Sequence, residues 1–182
     1  TNVYEMNHLE AIVYIDNLID HSFCDEIIDS YKNFNLKPLS TWKGVNKKER
    51  NVLGCNVHSE KDSFNKIKKQ IEKSYIYYKE KFPFIESNKI NQIDLLKYEV
   101  GGMYGYHIDN YTDYSRTTSV IINLNNSYEG GDLVFADQDC NEIKRYNLQK
   151  GSIVFFPSNF MYPHTIEPIT EGSRYSVVAW LQ

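Results

Sequence analysis

From Asn91 onward the chain breaks into short segments, alternating or wholly apolar, separated by turn residues. This rhythm narrows the possible folds more than any other feature. Strands are expected near 92–99, 103–109, 116–124, 132–136, 141–146, 152–156, 160–166 and 173–181. Glu129-Gly130-Gly131-Asp132 reads as a turn and Asp139-Cys140-Asn141 as a hairpin, because Gly, Asn and Asp tolerate the backbone angles that reverse a chain. Eight short strands fit a jelly roll of the cupin type, in which two packed sheets cover most strand edges.

The first half has a different period. Glu10 to Ile15 reads as a short strand, and Ser22 offers an N-cap, with Asp25 three positions on, for a helix that buries Phe23, Ile27, Ile28 and Tyr31. A second helix is expected from about Ser59 to Phe82. There Phe64, Ile67, Ile71, Tyr75, Tyr78 and Phe82 recur at steps of three and four, and Pro83 ends the run. That stripe is expected to pack on the sheet, with Lys66, Lys68, Lys69 and Lys73 as the solvated face. The stretch from Leu36 to Asn51 is polar and basic without clear periodicity, and by itself reads as a solvated connection. The fold class is therefore mainly β with flanking helices (α+β), the N-terminal helices packing on the jelly roll.

The 182 residues suit one domain with its own core, and no internal repeat or interdomain linker interrupts them. No apolar run is long enough to span a bilayer, and the first residues lack the basic and apolar regions of a signal peptide, so no membrane partner is expected. Cys24, Cys55 and Cys140 are widely spaced and odd in number. That argues against a disulfide framework or a paired-cysteine zinc site and for a reduced, cytoplasmic setting. A net charge of −4 argues against a nucleic-acid partner. The sequence leaves the oligomeric state open.

Chemistry concentrates in the strand-rich half. His107-Ile108-Asp109 offers a histidine and a carboxylate on one side of an expected strand, since side chains alternate with period two. His164 follows the apolar run Ile153-Val154-Phe155-Phe156 and is one of five histidines in the chain. Two histidines and one carboxylate can occupy one face of an octahedral iron(II) and leave three positions for a chelating co-substrate and dioxygen. Arg174 and Ser176 stand ten and twelve residues beyond His164, on one strand face. An Arg fork binds a carboxylate through two parallel charge-assisted bonds, and a neighbouring hydroxyl adds a third. A metal site beside a carboxylate anchor is what an iron enzyme driven by 2-oxoglutarate requires. A zinc hydrolase also accepts His and Asp ligands, but it leaves Arg174 unexplained.

The order of motifs is specific. Tyr98-Glu-Val-Gly101-Gly-Met-Tyr104-Gly-Tyr-His107-Ile-Asp109 leads, followed by Leu124-Asn125, Gly130-Gly131-Asp132-Leu133-Val134-Phe135 and Gly151-Ser-Ile-Val-Phe155-Phe156. His164, Pro168, Gly172, Arg174 and Trp180 close the series. From Tyr98 to Leu181 the chain thus resembles the Fe(II)/2-oxoglutarate-dependent dioxygenases, in their prolyl 4-hydroxylase-like branch. The resemblance implies a double-stranded β-helix, with 91–182 as catalytic core and 1–90 as helical support and flap. It implies Fe(II) on His107, Asp109 and His164, and 2-oxoglutarate and O2 as co-substrates, with ascorbate as a possible addition. The far carboxylate of 2-oxoglutarate would meet Arg174, with Ser176 and Tyr98 as hydrogen-bond donors.

Other roles are less sharply defined. Asn123 lies where relatives place a polar 2-oxoglutarate contact, or else is an inward hydrogen-bonding residue. Trp180 is expected beside the iron pocket or in the core, and Tyr104 and Tyr106 along the substrate channel or packed. Arg116 is a candidate substrate contact. In the resembling family the segment equivalent to 36–54 closes over substrate, which makes Trp42 and Arg50 candidate lid residues; Asn51 departs from the family by replacing a serine. The short stretch from Asn110 to Ser115 leaves an open mouth that suits a peptide or protein substrate containing proline. A free amino acid, another side chain or a small metabolite are the competing substrates. A catalytically silent metal-binding cupin is the competing class, and it has no use for the Arg174 and Ser176 clamp.

Overall fold

The computed structural model describes residues 7–41, 44–110 and 115–182; Trp42 and the middle of the 110–115 stretch lie outside them. Short 3-10 turns span His8–Ala11 and Tyr31–Asn33. Two α-helices follow the expected order, α1 at His21–Ser30 and α2 at Asp62–Lys81. The strands of the first half are β1 at Val13–Ile15, β2 at Lys37–Pro38, β3 at Arg50–Asn51 and β4 at Leu53–Asn56. Those of the second are β5 at Ile90–Tyr98, β6 at Met103–His107, β7 at Thr118–Asn123, β8 at Tyr128–Gly130 and β9 at Leu133–Ala136. They continue with β10 at Glu142–Tyr146, β11 at Ile153–Pro157, β12 at His164–Ile166, β13 at Ile169–Gly172 and β14 at Arg174–Leu181.

Seven strands in the order β1-β11-β7-β14-β5-β4-β2 make the larger sheet, and five in the order β10-β9-β12-β6-β3 make the smaller; β8 and β13 pair separately. This is the expected double-stranded β-helix. The larger sheet is covered on both faces, which explains why its central strands are apolar throughout instead of alternating. Along β5, Ile93 and Leu95 enter a core beneath the helices, while Leu96 and Tyr98 enter a second core between the sheets. The same division sends Phe155 toward Tyr75 and Tyr78 of α2, and Phe156 toward Phe135 between the sheets.

Several boundaries differ from the sequence expectations. Helix α1 begins at His21, so Ser22 lies inside it; its N-cap is Asp20, which makes no side-chain capping bond. The strand expected at 103–109 ends at His107, so Asp109 is carried on the turn beyond it and not by strand alternation. The segment expected at 173–181 is preceded by a separate strand, β13, which pairs with β8. The aperiodic stretch from Leu36 to Asn51 contains two short strands, β2 and β3, and leads into β4; together they extend both sheets, β4 pairing with β5, β2 with β4, and β3 with β6. Such edge pairing uses backbone groups and needs no side-chain alternation. No helix among the described residues is long and apolar enough to cross a membrane.

Candidate active site

The two sheets leave a cavity between them. His107, Asp109 and His164 line it together with Tyr98, Arg174 and Ser176. Strand register explains how residues so far apart in sequence meet. His164 at the start of β12 is paired directly with His107 at the end of β6. On the larger sheet, β14 lies between β5 and β7, so that Arg174 faces Tyr98 and Ser176 faces Asn123.

One ligand atom from each of His107, Asp109 and His164 falls within 4.8 Å of the others. Asp109 Oδ1 lies 3.4 Å from His107 Nε2 and 3.7 Å from His164 Nε2. The remaining ring nitrogens sit on backbone carbonyls, His107 Nδ1 at 2.8 Å from Gly105 O and His164 Nδ1 at 3.1 Å from Tyr162 O. A carbonyl only accepts, so each Nδ1 carries a proton and each Nε2 is left turned toward the carboxylate. Burial favours an uncharged Asp109, yet His164 and His107 beside it hold its carboxyl well below the usual carboxylate range. Burial, with His107 adjacent, pushes His164 down to about 4. At neutral pH the cluster therefore presents a carboxylate and a neutral imidazole from His164, a donor set that fits a divalent cation.

Neighbours fix these ligands. Tyr104 stacks on His107 with ring centroids 3.5 Å apart, and Phe156 meets the His164 ring edge-on at 4.8 Å. Ser119 Oγ donates to Asp109 Oδ2 at 2.6 Å. Arg116 Nη1 donates to the Asp109 carbonyl at 3.1 Å and its Nη2 to Gln92 Oε1 at 3.2 Å, while the guanidinium lies 3.8 Å from the Trp180 ring centre. Gln92 in turn donates to both oxygens of buried Asp94. Arg116 is thus engaged with the turn that carries Asp109.

Arg174 is 1% exposed, which for an arginine demands partners. Its Nε donates to Asn123 Oδ1 at 3.0 Å and its Nη1 to the Gly131 carbonyl at 3.4 Å, and the guanidinium lies 5.4 Å from the Tyr98 ring centre. Asn123 uses its own amide hydrogens on the Asn125 and Leu148 carbonyls, so it orients Arg174 from behind. The Tyr98 hydroxyl is pushed up by burial and remains a hydrogen-bond donor. A buried cation that shares its cavity with Tyr98 and Ser176 suits a carboxylate.

Trp180 is buried and lines the cavity, its indole Nε1 without a hydrogen-bond partner among the described residues. Arg50 also lines the cavity, its guanidinium 4.3 Å from the Tyr104 ring centre and its Nη1 on the Ser40 carbonyl. Tyr106 points away, 41% exposed and outside the cavity lining. Ser119, Ser158, Gln92 and Asp94 escape a motif-based reading. Their signal is faint: Ser119 shares the inward face of β7 with Ile121 and Asn123, a polar residue in a strand buried throughout.

Comparison with known proteins agrees with this geometry. The family model of the 2OG-Fe(II) oxygenase superfamily matches residues 93–182. A PKHD-type hydroxylase of Gloeothece citriformis is 35% identical over 106 residues, covering 54% of this chain and 46% of that protein. A PKHD-type hydroxylase of Rippkaea orientalis is 26% identical over 183 residues, covering 94% of this chain and 78% of that protein. The chain spans about half the length or less of several curated relatives it matches. Among solved structures, a Trichoplax adhaerens prolyl hydroxylase in complex with a hypoxia inducible factor peptide fragment superposes with a TM-score of 0.78 at 18% identity, covering 96% of this chain and 86% of that one. Residues 93–182 thus belong to the 2OG-Fe(II) oxygenase superfamily, and the chain carries the fold of the prolyl hydroxylases.

Proposed function

We propose that this chain is an Fe(II)- and 2-oxoglutarate-dependent dioxygenase that hydroxylates prolyl residues in a peptide or protein, with release of succinate and CO2. One observation carries the reading: the His107-Asp109-His164 cluster shares a single cavity with the buried, oriented Arg174. In this reading residues 91–182 are the catalytic core, and 1–90 supply support and a flap. His107, Asp109 and His164 hold iron(II). When bound, the metal supplies the site at which 2-oxoglutarate and O2 react. Arg174 takes the far carboxylate of 2-oxoglutarate, with Ser176 and Tyr98 donating to it, and Asn123 keeps the guanidinium aimed. The apolar lining of Leu96, Ile121, Ile166 and Val178 excludes water from the reacting groups. Arg50 lines the cavity where β3 pairs with β6, and in this reading the 36–54 segment it belongs to closes over a substrate. The peptide substrate is supported by the peptide fragment held in the similar Trichoplax adhaerens prolyl hydroxylase.

The test is succinate formation from 2-oxoglutarate by protein loaded anaerobically with iron(II) and then exposed to O2, with and without proline-rich peptides. Asp109→Ala and Arg174→Ala are expected to lose turnover, and peptide to stimulate the wild type. Turnover indifferent to peptide would replace the prolyl substrate by a small molecule. Tight metal binding with no turnover under any condition would leave a silent metal-binding cupin.

A further inference from the structure

Asp109 has two oxygens, and the structure treats them differently. Oδ1 faces both histidines, at 3.4 Å and 3.7 Å. Oδ2 accepts from Ser119 Oγ at 2.6 Å, and Ser119 Oγ lies 2.7 Å from Ser158 Oγ. All three side chains are buried: Ser119 is 0%, Ser158 1% and Asp109 6% exposed. The proton order in this chain is fixed by elementary chemistry. A carboxylate only accepts, so the single Ser119 proton goes to Oδ2, and Ser158 must then donate to Ser119. Ser158 is itself pinned at both backbone groups, its N–H on the Thr117 carbonyl at 3.0 Å and its carbonyl on the Asn110 N–H at 2.9 Å. Asn110 follows Asp109 directly, so the same residue anchors both the carboxylate and the turn that carries it.

We infer that Ser119, backed by Ser158, is a positioning residue that restricts Asp109 to one-oxygen ligation. The inference rests on the reading of this cluster as an iron(II) site. A carboxylate that gave both oxygens to the metal would fill a fourth position on an octahedral ion. Two positions would then remain, whereas a chelating 2-oxoglutarate and O2 together need three. To chelate, Asp109 would have to surrender its short charge-assisted bond and leave the buried Ser119 hydroxyl without an acceptor. Ser119 therefore keeps a coordination position open without touching the metal, the co-substrate or the substrate.

Cobalt(II) serves as the probe, since its visible absorption reports coordination number and ligand set independently of turnover. Wild type, Ser119→Ala, Ser119→Thr and Ser158→Ala are each loaded with Co(II) without O2 and titrated with 2-oxoglutarate by calorimetry, after circular dichroism establishes folding. Ser119→Ala is expected to bind Co(II) with an altered absorption spectrum and to bind 2-oxoglutarate about ten- to hundredfold more weakly, the usual cost of losing a partner of a metal ligand. Ser119→Thr keeps the hydroxyl and is expected to restore both readouts, and Ser158→Ala to fall between. Spectrum and affinity unchanged in Ser119→Ala would overturn the inference. So would a plain loss of Co(II) binding in Ser119→Ala, which would make the serine a general support of the ligand set. Should Ser119→Ala not fold, Ser158→Ala decides: wild-type spectrum and affinity there also overturn it. Failure of wild type to bind Co(II) any better than Asp109→Ala would instead refute the metal-site reading beneath it.

Discussion

Arg174 shows how much one residue depends on others that carry no chemistry of their own. Its charge is tolerable in the interior because Asn123 and the Gly131 carbonyl accept from it and because a carboxylate is its expected partner. Asn123→Ala is expected to weaken 2-oxoglutarate binding about tenfold, the cost of a lost hydrogen bond to a charged group, while leaving metal affinity unchanged. Calorimetry with Mn(II)-loaded protein checks this, and equal affinities would show that Arg174 is held otherwise. His164 supplies a pH dependence. Its pKa is pushed down to about 4 by burial, against about 6.5 in an unfolded chain. Between those values the unfolded chain binds the extra proton, so this contribution to stability is present above about pH 6.5 and is lost as pH falls toward 4. The metal-free wild type is expected to lose more melting temperature between pH 7 and 4.5 than His164→Gln. Asp109 adds little over that interval, because its downward shift is felt mainly at and below the ordinary carboxylate range. Parallel melting curves for the two proteins would contradict the assignment.

At the scale of elements, legibility followed the source of each element's stability. Helix α2 and strands β5, β7, β11 and β14 are held by buried side chains, and their apolar patterns stood out in the sequence. Strands β2, β3 and β4 are held by backbone pairing to sheet edges, and no side-chain period announced them. The turn expected at 129–132 is narrower than read, since Glu129 and Gly130 end β8, but its Gly130-Gly131 pair does adopt positive φ, 77° and 70°. A Cβ on Gly130 would press on the Pro168 carbonyl oxygen, and the following carbonyl, from Gly131, accepts from Arg174. Gly130→Ala is expected to destabilise the fold by about 1–3 kcal/mol, the cost of a strained left-handed residue, read from urea unfolding at pH 7. An unchanged unfolding midpoint would show that the turn relaxes freely.

At the scale of the whole molecule the two cores do separate work. The core beneath the helices braces the larger sheet, and the core between the sheets surrounds the candidate active site. Phe155 belongs to the first, against Tyr75 and Tyr78. Phe155→Ala is expected to cost about 3–5 kcal/mol of unfolding free energy through the cavity it leaves, with metal affinity of the folded protein preserved. Loss of metal binding without loss of stability would mean that the cores are not independent. The sequence by itself determined the strand-rich second half, the covering helices and the residues His107, Asp109, His164 and Arg174, because residue type and local spacing encode those choices. Only the tertiary structure decided that Asp109 rides a turn instead of a strand, that Asn123 and Arg116 grip protein groups, and that Ser119 and Ser158 stand behind the carboxylate. Those depend on strand register and on contacts between residues far apart in sequence, which no local pattern records.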